Sequence, residues 1–117
     1  MRTDTETVNS LDAMTAAPDH HELLLENDRV RVLDSVVKPG ESTPVHTHRW
    51  PAVLYIIGTS DFVRKDDAGN VIFDSRESDA KLHPGSAVWS GALEPHCVTN
   101  VGEGEIRVVS VELKPVR

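Results

Sequence analysis

The 117-residue chain has the length of one small domain, and its single cysteine excludes an intrachain disulfide. A formal net charge of −7 excludes nucleic acid and anionic membrane as main partners, because both attract basic surfaces. The longest apolar run, residues 52–57, is far shorter than the ~20 residues of a membrane-spanning helix. Residues 1–6 are polar and acidic, unlike a secretory signal, so we expect a cytoplasmic protein.

The N-terminal twenty residues carry few apolar anchors. Val8, Leu11 and Met14 are spaced three apart, which suits a short helix too weak to stand alone. We therefore predict an N-terminal arm over residues 1–22, flexible or packed on a partner subunit, and one folded domain over residues 23–117. We expect the side chains of His20 and His21, which end the arm, to be solvated.

From residue 23 onward the pattern is typical of an all-β sandwich or barrel. Short runs rich in Val, Ile and Leu alternate with turns such as Asp67-Ala68-Gly69-Asn70, where glycine and asparagine tolerate positive φ. The charged residues 64–67 read as a solvated hairpin tip. The predicted strands span residues 23–26, 30–37, 44–48, 53–57, 60–65, 71–75, 87–89, 96–101 and 105–114.

Three histidines stand out within these strands. His46 and His48 are two residues apart, so a strand places both imidazoles on the same face. His96 lies about fifty residues later on another predicted strand. If the sheet curls into a barrel, the three imidazoles meet, and such a set binds divalent transition metals.

Two short motifs around these histidines resemble those of the cupin superfamily. Five residues separate Gly40 from His46-Thr47-His48, and three residues separate His96 from Asn100, as in the two motifs of that family. The resemblance covers roughly residues 23–114 and implies an all-β cupin-type double-stranded β-helix, a jelly-roll barrel. It also implies that Asn100 hydrogen-bonds to backbone and so orients the strand that carries His96.

The chain departs from the family at the glutamate that is usually the fourth metal ligand. Ala52 and Val53 occupy the two positions where it would fall. The resemblance therefore implies a site of three ligands, His46, His48 and His96, holding Fe, Zn, Ni, Mn, Co or Cu. A carboxylate from elsewhere, Glu112 or Asp61, is an alternative fourth ligand. Strand alternation then turns Ala52, Leu54 and Ile56 inward and Tyr55 outward.

The family includes dioxygenases, isomerases, epimerases and decarboxylases. A three-histidine site without glutamate most resembles the iron-dependent oxygenase branch, so we expect a metal-dependent, dioxygenase-like enzyme acting on a small molecule. The main alternative is a non-catalytic module that binds a small ligand or metal, since no general acid or base stands out. A metal-free barrel that uses a histidine as base is a third. Exposed sheet edges tend to pair with other strands, and small cupins often dimerise, so we expect a homodimer.

Overall fold

The computed structural model describes residues 10–116. A short α-helix, α1, spans Ala13–Ala16. The strands are β1 (His21–Glu26), β2 (Val30–Val37), β3 (His46–His48), β4 (Ala52–Gly58), β5 (Phe62–Asp66), β6 (Val71–Asp74), β7 (Ala87–Ser90), β8 (Leu93–Asn100) and β9 (Ile106–Leu113). A 3-10 turn, Ser75–Glu77, follows β6. No helix within this part of the chain has the length and apolar character needed to cross a membrane.

The strands form two antiparallel sheets. The five-stranded sheet has the order β1-β2-β9-β4-β7 and the four-stranded sheet has the order β3-β8-β5-β6. Strands distant in sequence, such as β2 and β9 or β3 and β8, are direct neighbours. These crossovers between sheets are those of a jelly roll. The all-β jelly-roll barrel predicted from the sequence is thus confirmed.

Side chains alternate along β4 as the sequence predicts. Ala52 and Ile56 are buried in the barrel, whereas Tyr55 between them is exposed. Leu33 of β2 is fully buried and pairs across the five-stranded sheet with Ser110 of β9. The inner faces of both sheets therefore enclose one interior, in which aliphatic side chains lie beside buried polar ones.

The described part of the N-terminal segment packs on the chain's own barrel. Ala13 and Ala17 are fully buried, and the carboxylate of Asp12 caps α1 by accepting a hydrogen bond from the Met14 N–H. Asp12 also forms a parallel bridge with Thr47 in β3. Strand β1 begins two residues before the domain boundary predicted at residue 23. The remaining arm, residues 1–9 with Val8, lies outside the described residues.

An apolar row crosses the outer face of the five-stranded sheet. Its members occupy matching register positions on the five strands: Leu25, Val32, Val111, Val53 and Trp89. Trp89 is 63% exposed. Contiguous exposed apolar surface of this kind often marks a site of interaction with another molecule.

Candidate metal centre

Strands β3 and β8 bring the three predicted histidines together. His46 and His96 are direct partners in the β3–β8 ladder, and their ring centroids are 4.5 Å apart. The His48 ring lies 5.0 Å from that of His46 and 5.8 Å from that of His96. His46 and His96 are buried, as residues on the inner face of a barrel should be.

A fourth histidine joins this cluster from the opposite sheet. The ring of His21, in β1, lies 4.9 Å from that of His46 and 5.2 Å from that of His48. The expectation that His21 is solvated was wrong, since the residue is 7% exposed. His21 pairs with Ser35, whose side chain lines the barrel cavity, so the imidazole faces inward as well. His20 is half-buried rather than solvated, with its Nδ1 3.0 Å from the Val36 carbonyl oxygen.

The spacing of the imidazole nitrogens suits a bound ion. One nitrogen each from His21, His46 and His48 lies within 4.8 Å of the others. Nitrogen ligands bound at ~2.1 Å around a tetrahedral ion sit ~3.4 Å apart, so modest side-chain rotations close the set. His96 is not part of that set of three, although its ring packs against that of His46.

The hydrogen bonds of the cluster leave one nitrogen of every imidazole free. Each Nδ1 lies within hydrogen-bonding distance of an oxygen: Ala17 O for His21 (2.9 Å), Pro44 O for His46 (2.8 Å), a Glu112 carboxylate oxygen for His48 (2.9 Å) and Glu94 O for His96 (2.6 Å). Because a carbonyl or carboxylate oxygen only accepts, Nδ1 carries the proton and Nε2 keeps its lone pair. Histidines that bind a metal through one ring nitrogen usually donate the N–H of the other nitrogen to such an oxygen, which fixes the ring orientation.

Burial keeps the imidazoles of His21, His46 and His96 neutral. Loss of solvation, with smaller contributions from neighbouring histidines, lowers the pKa of His21 and of His96 to about 4. The same effects lower the pKa of His46 to about 3. A metal ligand must be unprotonated, so these three side chains are in the ligating form at neutral pH.

Glu112 lies beside the position of the missing family glutamate, one strand away. It is fully buried on β9, directly opposite Ala52 in β4. One carboxylate oxygen accepts from His48 Nδ1 and the other from Arg31 Nε. Burial alone would raise the pKa of Glu112, but the hydrogen bonds from His48 and Arg31 outweigh it and lower that pKa. The ionised carboxylate therefore orients His48, with both oxygens engaged.

Asp61, the other carboxylate considered as a replacement ligand, lies away from the histidines. It is exposed and accepts a hydrogen bond from the Ser75 hydroxyl at 2.9 Å.

A series of buried ion pairs links Glu112 to the N-terminal helix. The guanidinium of Arg31 donates to both oxygens of Asp12, at 2.7 and 2.9 Å, as well as to Glu112. Burial opposes the charge on Arg31, but the two carboxylates raise its pKa above the ordinary value. Helix α1 is thereby connected through Arg31 and Glu112 to His48.

Asn100 orients the end of β8, as the resemblance implied. It is almost fully buried, and its Nδ2 donates to the carbonyl oxygens of Val37 (2.9 Å) and Gly104 (2.7 Å). Its Oδ1 accepts from the Ser60 hydroxyl at 2.8 Å. These bonds fix the strand that carries His96.

A cavity of about 160 Å³ opens beside the histidines, between the two sheets. Beside the histidines its walls carry aliphatic side chains, with Leu54 and Ile56 from one sheet and Val98 from the other. Arg64 also lines it, which corrects the expectation that residues 64–67 are a solvated tip. Arg64 lies within β5, paired with Val98, and shares the cavity with Phe62 two residues earlier. Asp67, at the turn itself, is exposed.

Solved structures with this fold are found in several microorganisms. A cupin domain of Bordetella pertussis Tohama I is 23% identical, with a TM-score of 0.64 over 81% of this chain and 92% of that one. An RmlC-like cupin family protein of Methanocaldococcus jannaschii is 16% identical, with a TM-score of 0.55 over 80% of this chain and 77% of that one. A cupin superfamily protein of Desulfitobacterium hafniense is 18% identical, with a TM-score of 0.51 over 81% and 76%.

No family model and no curated protein matches the sequence. The structural likeness is consistent, however, because these neighbours are cupin or RmlC-like double-stranded β-helix proteins. Together with the strand order and the two sequence motifs, it shows that this chain is a small protein with the cupin double-stranded β-helix fold.

Proposed function

We propose that the protein is a metal-dependent, dioxygenase-like enzyme acting on a small molecule. In this proposal His46, His48 and His96 hold one divalent transition metal, Fe, Zn, Ni, Mn, Co or Cu, and His21 supplies a fourth imidazole. The observation that carries the proposal is that every imidazole of the cluster is hydrogen-bonded to the protein through its Nδ1. Four Nδ1 atoms face protein acceptors, so four Nε2 lone pairs remain for an ion.

The donor set determines what chemistry such an ion would supply. Neutral imidazoles add no negative charge, so the ion would act as a stronger Lewis acid and accept anionic ligands more readily than with a carboxylate ligand. The aliphatic walls of the cavity exclude water from the same place. Glu112 holds the ring of His48 in position, and Arg31 holds Glu112.

A non-catalytic metal- or ligand-binding module is the second candidate. It is favoured by the engagement of Glu112, the carboxylate that lines the cavity. Both of its oxygens accept hydrogen bonds from His48 and Arg31, so it is committed to positioning rather than to proton transfer.

Metal analysis of the protein purified without chelator tests the metal-binding part of the proposal. We expect about one ion per chain, and we expect His96→Ala to lose most of it while remaining folded. His83→Ala is the matched control, because His83 is exposed in a turn outside the cluster. Metal content that survives His96→Ala would exclude His96 as a ligand. A folded wild type that holds no metal as purified would favour the metal-free alternative.

Turnover separates the two metal-binding candidates. With Fe²⁺-loaded protein we expect oxygen consumption with at least one member of a panel of thiols, diketones and catechols. Ligand-dependent thermal stabilisation without oxygen uptake or product would instead favour the binding module, because a ligand that binds only the folded state raises its stability.

We further propose a cytoplasmic homodimer without a nucleic acid partner. The net charge of −7 opposes binding to polyanions. The outer apolar row that includes Val53 and Trp89 is complementary to itself in a second copy, since it carries no charge. The charged pair beside it, Asp34 and Arg107, is already satisfied within the chain.

A further inference from the structure

The cavity contains polar groups that the fold itself does not satisfy. Within residues 10–116, three buried side-chain polar atoms lack a hydrogen-bond partner: Thr47 Oγ1, Arg64 Nε and Ser110 Oγ. Two of the three, Arg64 and Ser110, line the cavity beside the histidines. Buried polar groups are nearly always hydrogen-bonded in folded proteins, so two orphans in one cavity point to a ligand that bonds to them.

Arg64 is the more informative of the two. Arg31, Arg76 and Arg107 each pair with a carboxylate, whereas Arg64 has no ion pair within the described part of the chain. Its guanidinium lies 5.9 Å from the ring of Phe62, a weak contact. Burial without a compensating charge lowers the pKa of Arg64. Arg64 is half-buried with its Nε enclosed and unpaired, a state that is costly unless an anion arrives.

Ser110 faces Arg64 from the other sheet. It lies on β9, between Leu33 of β2 and Leu54 of β4 in the strand register. Ser110 lines the cavity, and its buried hydroxyl has no hydrogen-bond partner within the described residues. A ligand between the sheets meets a cationic donor on one side and a hydroxyl on the other.

We propose that this cavity binds a small carboxylate, whose anionic group is held by Arg64 and whose polar atoms reach Ser110. Guanidinium binds carboxylate through two parallel N–H bonds, a geometry that no neutral group matches. The proposal names the substrate class of the proposed metal enzyme and rests on that function for any chemistry. The volume of about 160 Å³ limits the ligand to roughly the size of benzene, which fills an apolar cavity of ~150 Å³.

Charge balance in the cavity agrees with an anionic ligand. Arg31 pairs with both Asp12 and Glu112, so these three side chains carry one net negative charge, which the charge of Arg64 balances. A divalent ion on the neutral imidazoles would then leave an excess of two positive charges. An anion reduces this excess, whereas a cation or a second guanidinium would increase it.

Calorimetric titration with butyrate and butyramide, which share a shape and differ in charge, tests the proposal. Metal-free and Zn²⁺-loaded forms are titrated separately, because a bound ion would itself prefer a carboxylate. In the metal-free wild type we expect butyrate to bind at least about tenfold more tightly than butyramide. Arg64→Met should abolish this preference without changing the Zn²⁺ content. Arg29→Met, at an exposed site outside this cavity, is the control and should keep both the preference for butyrate and the Zn²⁺ content.

The outcomes separate this inference from the proposed function. Equal binding of the two probes to the metal-free wild type, or a preference that survives Arg64→Met, overturns the carboxylate site. A preserved preference in protein that binds no Zn²⁺ overturns the metal centre and leaves the carboxylate site standing.

The stability of the variant provides a second readout. Removing an unpaired buried charge should leave the free energy of unfolding unchanged or raise it. A large loss of stability in Arg64→Met would show a structural role and contradict the proposal. Ser110→Ala should weaken butyrate binding while leaving the preference over butyramide in place, and unchanged butyrate binding would remove Ser110 from the site.

Discussion

His48 differs from the other three imidazoles of the cluster in what its Nδ1 contacts. His21, His46 and His96 donate to backbone carbonyls, whereas His48 donates to the carboxylate of Glu112. A carboxylate partner makes the opposite ring nitrogen a stronger donor to metal and fixes the ring plane. His48 is therefore the imidazole whose strength as a ligand depends most on a single side chain.

Glu112→Gln tests this dependence. The amide is the same size but carries no charge, so we expect metal affinity to fall by about 10- to 100-fold. Chelator competition with Zn²⁺ measures the change. Glu103→Gln, at an exposed loop position, should leave the affinity unchanged. Unaltered affinity in Glu112→Gln would show that His48 does not bind the ion through its Nε2.

Sequence alone can identify three of the four histidines, for a physical reason. His46 and His48 share a face by strand alternation, and the motif spacing adds His96. His21 lies at the first position of β1, where no alternating pattern precedes it. Its direction is set only by pairing with Ser35 of β2, a tertiary contact. The inward position of Arg64 could have been predicted, because it lies two residues from Phe62 and strand alternation places both on the same face. Its charge instead led to the prediction that it is solvated.

At the scale of elements, α1 anchors the metal centre although it is a single turn. Asp12 caps the helix, pairs with Arg31, and bridges to Thr47 beside the two histidines of β3. The carbonyl of Ala17, just beyond the helix, accepts from His21. The N-terminal segment thus contributes both a member of the histidine cluster and the support of another.

Asp12→Ala should destabilise the whole barrel. It removes a helix cap and one partner of a buried ion pair, for which losses of about 3–5 kcal/mol are typical. Urea unfolding measures the change, with Asp19→Ala at an exposed position as control. Equal free energies of unfolding for the two variants would mean that α1 is not coupled to the barrel.

The strand that carries His96 was predicted three residues too short at its start. β8 begins at Leu93, because Glu94 and Pro95 continue the strand and place Leu93 opposite His48. Proline disfavours strand interiors, so sequence reasoning started the strand at residue 96. Its presence is tolerated here because the β3–β8 register shifts at this point, between His46 and His48. The strand pattern was otherwise readable from apolar periodicity and turn residues.

At the scale of the whole molecule, three buried imidazoles make the metal-free protein sensitive to acid. The pKa values of His21, His46 and His96 lie below the unfolded value near ~6.5. Below that pH the unfolded chain binds more protons than the folded one, so acid favours unfolding. The stability from these groups is complete above ~6.5 and falls by up to ~1.4 kcal/mol per group and pH unit as pH drops toward about 4.

Urea unfolding in EDTA at pH ~7.5 and ~5.5 measures this effect, and we expect the lower free energy of unfolding at pH ~5.5. Saturating Zn²⁺ should reduce the difference between the two values, because bound metal holds the imidazoles unprotonated. Equal stabilities in EDTA at the two pH values would contradict the burial of these imidazoles.

The outer apolar row predicts how the molecule assembles. Trp89→Glu places a charge at the β7 end of the proposed dimer contact, on the most exposed residue of the row, and should yield monomers, measured by light scattering after gel filtration. Val71→Glu, at an equally exposed position on the other sheet, should leave the dimer intact. A wild type that is monomeric at micromolar concentrations would contradict the dimer.

The most direct test of the metal centre is an anomalous difference map from crystals of the Zn²⁺-loaded protein, collected at the zinc absorption edge. The account predicts one peak per chain among His46, His48 and His96, with nitrogen ligands at ~2.1 Å. A map without a peak at this cluster, or with the ion bound elsewhere, would contradict it.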